Sequence, residues 1–415
     1  MRIAIVGSGI SGLVTAHLLA GECDLVVYEA ANYIGGHTHT VDVELEGGSV
    51  AVDTGFIVFN PENYPNFTRL LSRLGIETQP SNMSFSVRDE QTGLEYNGTS
   101  LNALFAQRRN LVRPRFLRMI RDIVRFYRDA RSLLLEPDYD LTLGEYLARK
   151  RYSREFVDWH IYPLGAAIWS MGRQGIEQFP AAFFVEFFAN HGFLNLGSRP
   201  QWRVLCGGSR SYIEPLTRGF LTSIRLNCPV VGIRRSPGHV EIRAGDGSVE
   251  RFDQLVLATH SDQALQLLSD PSPQEREILG GIPYLESEVV LHTDERLLPR
   301  RSLARASWNY HLPMRPDNKP SVTYWMNSLQ NLRTREQFCI TLNRTEAIDP
   351  SRILKRLRYA HPVYTPETLR AHHRRAEING RNRTWFCGAY WGYGFHEDGV
   401  RSALDVGAAF GRELS

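Results

Sequence analysis

The sequence predicts an α/β fold, a parallel sheet flanked by helices with an α+β domain inserted into it. Three observations predict it. The first thirty residues run strand, glycine-rich turn, helix, strand. Two more short apolar runs, inside Phe252–His260 and Thr384–Gly388, lie far along the chain, as further buried strands of one sheet would. The length of 415 residues exceeds one compact core and suits more than one domain of ~150 residues.

Composition narrows the class. Apolar residues make 42% and charged residues 22% of the chain, as in ordinary globular proteins. A formal net charge of +3 with no basic tail argues against nucleic acid as a partner. Cys23, Cys206, Cys228, Cys339 and Cys387 are scattered without a CxxC pair, so reduced thiols and a cytoplasmic location are expected. His372-His373 and the acids near them lack ligand spacing, and no metal site is expected. No run approaches the ~18 apolar residues of a membrane span. Arg2 and the apolar stretch after it could pass for a signal peptide, but the glycines, Glu22 and Asp24 argue against that.

The first element is Arg2–Val6, a buried-strand pattern. Gly7-Ser8-Gly9-Ile10-Ser11-Gly12 follows, opening a helix from Leu13 to Ala20. Gly7 permits the tight turn, Gly9 lets backbone approach a pyrophosphate, and Gly12 lets helix and strand pack closely. Unpaired amides at the helix start, Ile10 and Ser11 among them, then face the diphosphate. A second strand, Asp24–Tyr28, ends at Glu29, 17 positions after Gly12 and close to the ~20 expected of the acid that binds a ribose hydroxyl. The parts are in the right order for a dinucleotide, and an acid at this point favours FAD or NAD over NADP.

The next segments resemble the flavin-containing amine oxidase and phytoene-desaturase superfamily. Ala30–His39 carries Gly35-Gly36, the pair that runs under the FAD diphosphate there, followed by His37 where the superfamily has Arg, and Thr38. A hairpin over Val41–Val52 leads to Asp53-Thr54-Gly55-Phe56, similar to the D-x-G loop whose backbone passes the isoalloxazine. Asn227–Val231 resembles the strand meeting the adenine, through Val230. Phe252–His260 resembles the strand ending in an A-T-x turn, here Ala258-Thr259. At the C-terminus, Thr384–Gly388 and the segment Gly394–Val400 resemble the strand and helix start that face flavin O2, bringing in Gly388, Glu397, Asp398, Gly399 and Val400. Ala389 stands where an acid is customary. The resemblance implies a Rossmann-like FAD-binding domain of the amine-oxidase type, with FAD as cofactor. Only one fingerprint is present, which favours an enzyme whose flavin is reduced by its organic substrate.

Narrower phrases extend the likeness: GGHTHTV from Gly35, VDTGFIVFN from Val52, RPQWRVLCGGSRSY from Arg199, LATHSDQAL from Leu257, VVLHTDERLLP from Val289, ASWNY from Ala306 and CGAYWGYGFHEDGVRSAL from Cys387. They resemble the bacterial predicted NAD/FAD-binding proteins associated with cyclopropane-fatty-acid synthases. That kinship implies oxidation or desaturation of an acyl chain or similar lipid, with a cyclopropane-synthase-like methyltransferase as a functional partner. The chain divides as FAD-binding domain over 1–79, 194–268 and 382–415, with a mainly helical insertion over 80–193 and strands and helices over 269–381.

Within the first insertion, Arg108–Arg131 carries nine arginines against Asp122 and Asp129. Phe116, Ile120, Ile123, Val124 and Tyr127 recur at helical spacing, with Arg118, Arg121, Arg125 and Arg128 on another face. Such a helix either packs on the core or lies on an anionic membrane surface. Phe183, Phe184, Phe187 and Phe188 form either a tunnel wall or a plain buried helix. His160, Tyr162, Trp169 and Trp202 are candidates for a pocket, and Trp308-Asn309-Tyr310 for its opposite wall. The catalytic candidates are His396, as base or as flavin-positioning residue, with Tyr390, Trp391 and Tyr393 in the same loop. Cys387 reads as a buried thiol ahead of a covalent flavin link. The leading expectation is an FAD enzyme transferring hydride from an acyl substrate to flavin N5. A polyamine or amine oxidase and a non-catalytic flavin-binding partner of a lipid-modifying enzyme stand as alternatives.

Overall fold

A computed structural model describes residues 1–195, 197, 200–314 and 319–414; Arg199, where one of the phrases above begins, lies outside them. The first domain is built on five parallel strands in the spatial order Thr384–Phe386, Gln254–Leu257, Arg2–Val6, Asp24–Tyr28, Ile224–Arg225. The β-branched residues of Arg2–Val6 are buried on both faces, as the centre of a parallel sheet requires. One face packs under the helices Ile10–Leu19 and His396–Ala409, which lie against each other. The other carries an antiparallel meander of Val230–Arg235, Val240–Ala244 and Val249–Phe252. In this layer Arg235 and Glu275 form an ion pair of 2.5 Å with side chains 2% and 1% exposed.

Helix Ile10–Leu19 is apolar nearly all round because it is sandwiched between sheet and C-terminal helix. It ends where Gly21 turns with φ +85°. The chain leaves the first strand toward Asp24–Tyr28 on one side, while Gln254–Leu257 joins from the other. The order therefore reverses at the carboxyl end of Arg2–Val6, where an open α/β sheet forms its ligand crevice.

The second domain is a seven-stranded mixed sheet, in the order Ile353–Pro362, Tyr284–His292, Cys339–Leu342, Val322–Trp325, Trp308–Leu312, Phe85–Asp89, Leu94–Asn97. Its last two strands come from the segment 80–193, which is helical only from Leu101 onward. Phe85–Asp89 runs parallel to Trp308–Leu312, so residues more than two hundred positions apart share one sheet. Helices Pro114–Asp129, Tyr162–Trp169 and Ala181–Asn190 cover it through one large core. Phe116, Met119 and Phe126 point into that core. Val124, expected with Phe116 on the apolar face, lies on the outward side, 49% exposed.

Candidate active site

A single cavity of about 730 Å³ runs from the crevice of the first domain to the covered face of the seven-stranded sheet. At its outer end stands Glu29. One carboxylate oxygen accepts from the Ser8 amide (2.9 Å) and the Ser8 hydroxyl (2.6 Å), and the other accepts from the Ala31 amide (2.8 Å). The side chain is thereby aimed across the glycine-rich turn with lone pairs left for a ribose diol. Val230 and Pro229 line the wall beside it.

Further in, the helix beginning at Ile10 has no side-chain cap, and Gly9, Ile10 and Ser11 line the cavity. Its first amides are free to meet an anion. The glycines around it divide by role. Gly7 has φ +104°, and a Cβ on Gly12 would stand 2.0 Å from the Gly7 carbonyl oxygen. Those two serve the fold. A Cβ on Gly9 would meet nothing within 4 Å and would project into space that a diphosphate can use. Gly35 and Gly36 take φ +129° and +59°, and the Gly35 amide donates to the Ser8 carbonyl, tying the second glycine turn to the first.

His37 does not supply the charge of an arginine. Its ring lies among Tyr359, His361 and His260, at centroid distances of 5.0, 5.5 and 5.7 Å. Burial first, and the neighbouring His260 second, push its pKa down to about 4. Burial likewise pushes His260 to about 4 and His361 to about 3. All three rings are neutral at neutral pH and line the cavity together. Among the described residues the charged side chains in the lining are Glu29 and Arg358, and the uncapped amides at the start of the helix Ile10–Leu19 would hold the phosphates.

At the inner end, Thr54, Gly55 and Phe56 line one side. A Cβ on Gly55 would stand 2.1 Å from the His37 carbonyl oxygen, which is why this loop lies so close to the Gly35-Gly36 turn. Asp53 beneath it is fully buried and accepts from Thr40, Ser209 and Gln330. Burial holds its pKa up at about 6. Facing this loop, His396 stacks on Phe56 at 3.5 Å between centroids, and its Nε2 meets the Thr38 hydroxyl at 2.9 Å. Burial pushes its pKa down to about 3. An imidazole whose conjugate acid is that strong is a poor base at neutral pH, and the contacts fit a positioning residue.

The structure brings Gly7, Gly9, Ile10, Ser11, Glu29, Gly35, Gly36, His37, Gly55, Phe56, Val230, Ala258, Thr259, Gly388, Ala389, Tyr390, Tyr393 and His396 to one cavity. Seven of the residues expected there are placed otherwise. Gly12 packs on Gly7, Thr38 supports His396, and Gly399 and Val400 sit against Ile10 and in the core. Trp391 donates its indole N–H to the Phe386 carbonyl and faces Arg375. Glu397 reaches back to cap helix Pro65–Arg73, accepting from the Asn66 and Phe67 amides. Asp398 caps its own helix, accepting from the Tyr393 and Phe395 amides and from Arg401. Of the pocket candidates, Trp169, Phe187, Trp202 and Trp308 line the cavity, whereas His160, Tyr162, Phe183, Phe184, Phe188, Asn309 and Tyr310 do not. Cys387 is fully buried beside Thr15, with its thiol pKa raised by burial. Tyr284, Tyr324, Tyr359 and His361 enter the site unannounced by any motif, and His260 enters it from the A-T-x turn without having been singled out.

The inner wall is apolar and aromatic, formed by Ile57, Met83, Ile168, Phe187, Trp308 and Tyr324 among others, with no carboxylate among the described residues that form it. Among the described residues, no cluster of metal-ligating side chains occurs and no helix is long and apolar enough to cross a membrane.

The profile of the flavin-containing amine oxidoreductase family matches residues 10–409. The chain belongs to this family. Its cofactor is FAD, and the free helix amides, the open space at Gly9 and the oriented Glu29 fit that molecule. The chain is 38% identical over 103 residues to a tryptophan 2-monooxygenase of Allorhizobium ampelinum, covering 24% of this chain and 14% of that protein. It is 28% identical over 277 residues to a lysine-specific histone demethylase 1B homolog of Caenorhabditis elegans, covering 62% and 32%. The matches thus span less than a third of either relative's length. Among solved structures it is similar to a fatty acid isomerase of P. acnes producing CLA (TM-score 0.71, 18% identity, 99% and 98% of the two chains). It is equally similar to the cyclohexylamine oxidase of Brevibacterium oxydans (TM-score 0.71, 15% identity, 98% of each chain). These likenesses show a shared fold.

Proposed function

We propose that this chain is an FAD-dependent oxidoreductase that oxidises or desaturates a hydrophobic acyl chain. The observation that carries the reading is the inner end of the cavity, walled by aliphatic and aromatic side chains with no carboxylate among its described residues. A di- or polyamine bound there would bury charge without a partner, at a cost of several kcal/mol. An alkyl chain gains about 0.8 kcal/mol for each methylene it buries. The likeness to a fatty acid isomerase agrees with an acyl substrate.

When bound, FAD supplies a two-electron acceptor for hydride. The chain's own residues do the rest. The Gly9–Ser11 amides and Glu29 would hold the dinucleotide at its outer end. Asp53, through Ser209 and Gln330, anchors the Thr54–Phe56 loop, and His396 holds Phe56 by stacking. Trp308 and Tyr324, edge to face at 5.1 Å, line the far wall, and the apolar lining keeps water from the reacting carbon.

The test is anaerobic mixing of the holoenzyme with phospholipids or free fatty acids bearing unsaturated, methyl-branched or cyclopropane chains, with putrescine and cyclohexylamine in parallel. Loss of the oxidised-flavin absorbance with an acyl compound and not with the amines is expected. Bleaching by an amine and by none of the lipids overturns the reading.

A further inference from the structure

Helix Pro114–Asp129 carries two faces of different character. Phe116, Met119 and Phe126 are fully buried in the core of the second domain. On the outward side, Leu117, Arg121, Val124 and Arg128 follow at i, i+4, i+7 and i+11 and so share one stripe. Leu117 and Val124 are 42% and 49% exposed, and the side chains of Arg121 and Arg128 are 69% and 77% exposed. Core packing accounts for the first face and leaves the second unexplained.

The surroundings repeat the same mixture. Of the fifteen large apolar side chains exposed among the described residues, seven fall between Leu101 and Leu135, including Val112 and Leu135 at 81% and 85%. The stretch Arg108–Arg131 holds nine arginines against two acids. A distant part of the chain adds to it. The turn Ser302–Ala304 packs against helix Leu101–Leu104, and exposed Arg300, Arg301 and Leu303 thereby join Leu101.

We propose that this face docks the protein on an anionic phospholipid bilayer. The exposed apolar groups are all leucine and valine, interleaved with arginine. A protein-binding patch would concentrate aromatic side chains at a core depleted of charge, and this one does neither. At a lipid headgroup layer each component finds a partner. The aliphatic tips enter the acyl boundary, and the guanidinium groups lie at the phosphates with their stems along the apolar surface. The charge balance of the face specifies the sign of the lipid. The inference is independent of the substrate, because it rests on the outer surface and not on the cavity.

Flotation of the holoenzyme with vesicles tests it. Partition onto vesicles of equal phosphatidylcholine and phosphatidylglycerol, with none onto phosphatidylcholine alone, is expected. Removing one arginine from an anionic surface weakens binding about fivefold. Arg121→Glu with Arg128→Glu therefore abolishes flotation, and Leu117→Ser with Val124→Ser weakens it while the net charge is unchanged. Unaltered absorbance of the bound flavin shows that each variant is folded. Arg218→Glu with Arg251→Glu, the same charge change at exposed positions elsewhere, retains flotation. Absence of flotation on the anionic vesicles, equal flotation on neutral ones, or an equal loss in the Arg218/Arg251 control overturns the proposal.

Discussion

Gly9→Ala separates what the fold needs from what the cofactor needs. The backbone at Gly9 has φ −70° and ψ 177°, which any residue adopts, and an added Cβ meets nothing within 4 Å. The apoprotein should tolerate the methyl group and gain about 0.4–1 kcal/mol from a less flexible unfolded chain. The same methyl occupies the approach to the free amides of Ile10 and Ser11. Displacing a diphosphate from two such amides forfeits about 1.5–3 kcal/mol for each. That is about 100- to 20,000-fold in FAD affinity. Gly12→Ala is the contrast: its Cβ would lie 2.0 Å from the Gly7 carbonyl oxygen, so the fold itself is lost. Thermal melting of the apoprotein and FAD titration by flavin fluorescence read the two effects separately. Tight FAD binding by Gly9→Ala, or an apoprotein destabilised by more than about 2 kcal/mol, would refute the reasoning.

Other perturbations have equally definite outcomes. Glu275→Ala takes one of two carboxylates from buried Arg235, leaving the exposed Asp270 at 3.2 Å, and should cost about 1–3 kcal/mol in urea unfolding, most of it recovered by Arg235→Met with Glu275→Leu; a loss under about 0.5 kcal/mol would count against a buried pair. His37, His260, His361 and His396 have folded pKa values of about 4, 4, 3 and 3, below the unfolded 6.5, so the unfolded chain binds more protons and stability present above pH 6.5 is lost on acidification. His396 alone accounts for on the order of 3 kcal/mol by about pH 4.5. Asp53 and Asp398, both held up at about 6 from 3.8, act in the opposite sense, their contribution being lost as pH rises through 6. Two acids offset four histidines only in part, so melting temperature and flavin retention fall together below neutrality, and a flat or rising profile would be the contrary result. Acid precipitation should leave all flavin in the supernatant, and Cys387→Ala should keep its FAD, because that thiol is enclosed by Thr15 and the core. His396→Gln should lower the rate of flavin reduction less than about tenfold, short of the ~100-fold or more at stake in removing a general base.

The first domain was legible because each of its devices is local. Gly7 to Gly12 and Glu29 lie within one βαβ unit, and the turn at Gly35-Gly36 follows directly. The two misplaced acids share one cause: an acid at a helix start reads equally as a ligand or as a cap. Glu397 and Asp398 prove to be caps, the first for a helix some 330 positions away in sequence. Val124 is apolar and yet faces solvent, because it follows Leu117 at i+7 on the outward side of a helix with only one covered face. The histidines beside His37 come from a strand end at His260 and from an edge strand at His361, a proximity set by how two sheets meet. The two strands within 85–97 were obscured because their partner, Trp308–Leu312, lies in the other insertion.

The central claim is that the inner cavity takes an alkyl chain and refuses a cation. It is tested by titrating the oxidised holoenzyme with saturated fatty acids of increasing length and with diamines of matched length, following the flavin absorbance spectrum. Affinity for the acids should rise about fourfold for each added methylene, at 0.8 kcal/mol apiece, until the cavity is filled. The diamines should leave the spectrum unchanged. Saturable binding of the diamines with no dependence on acid chain length would contradict the account.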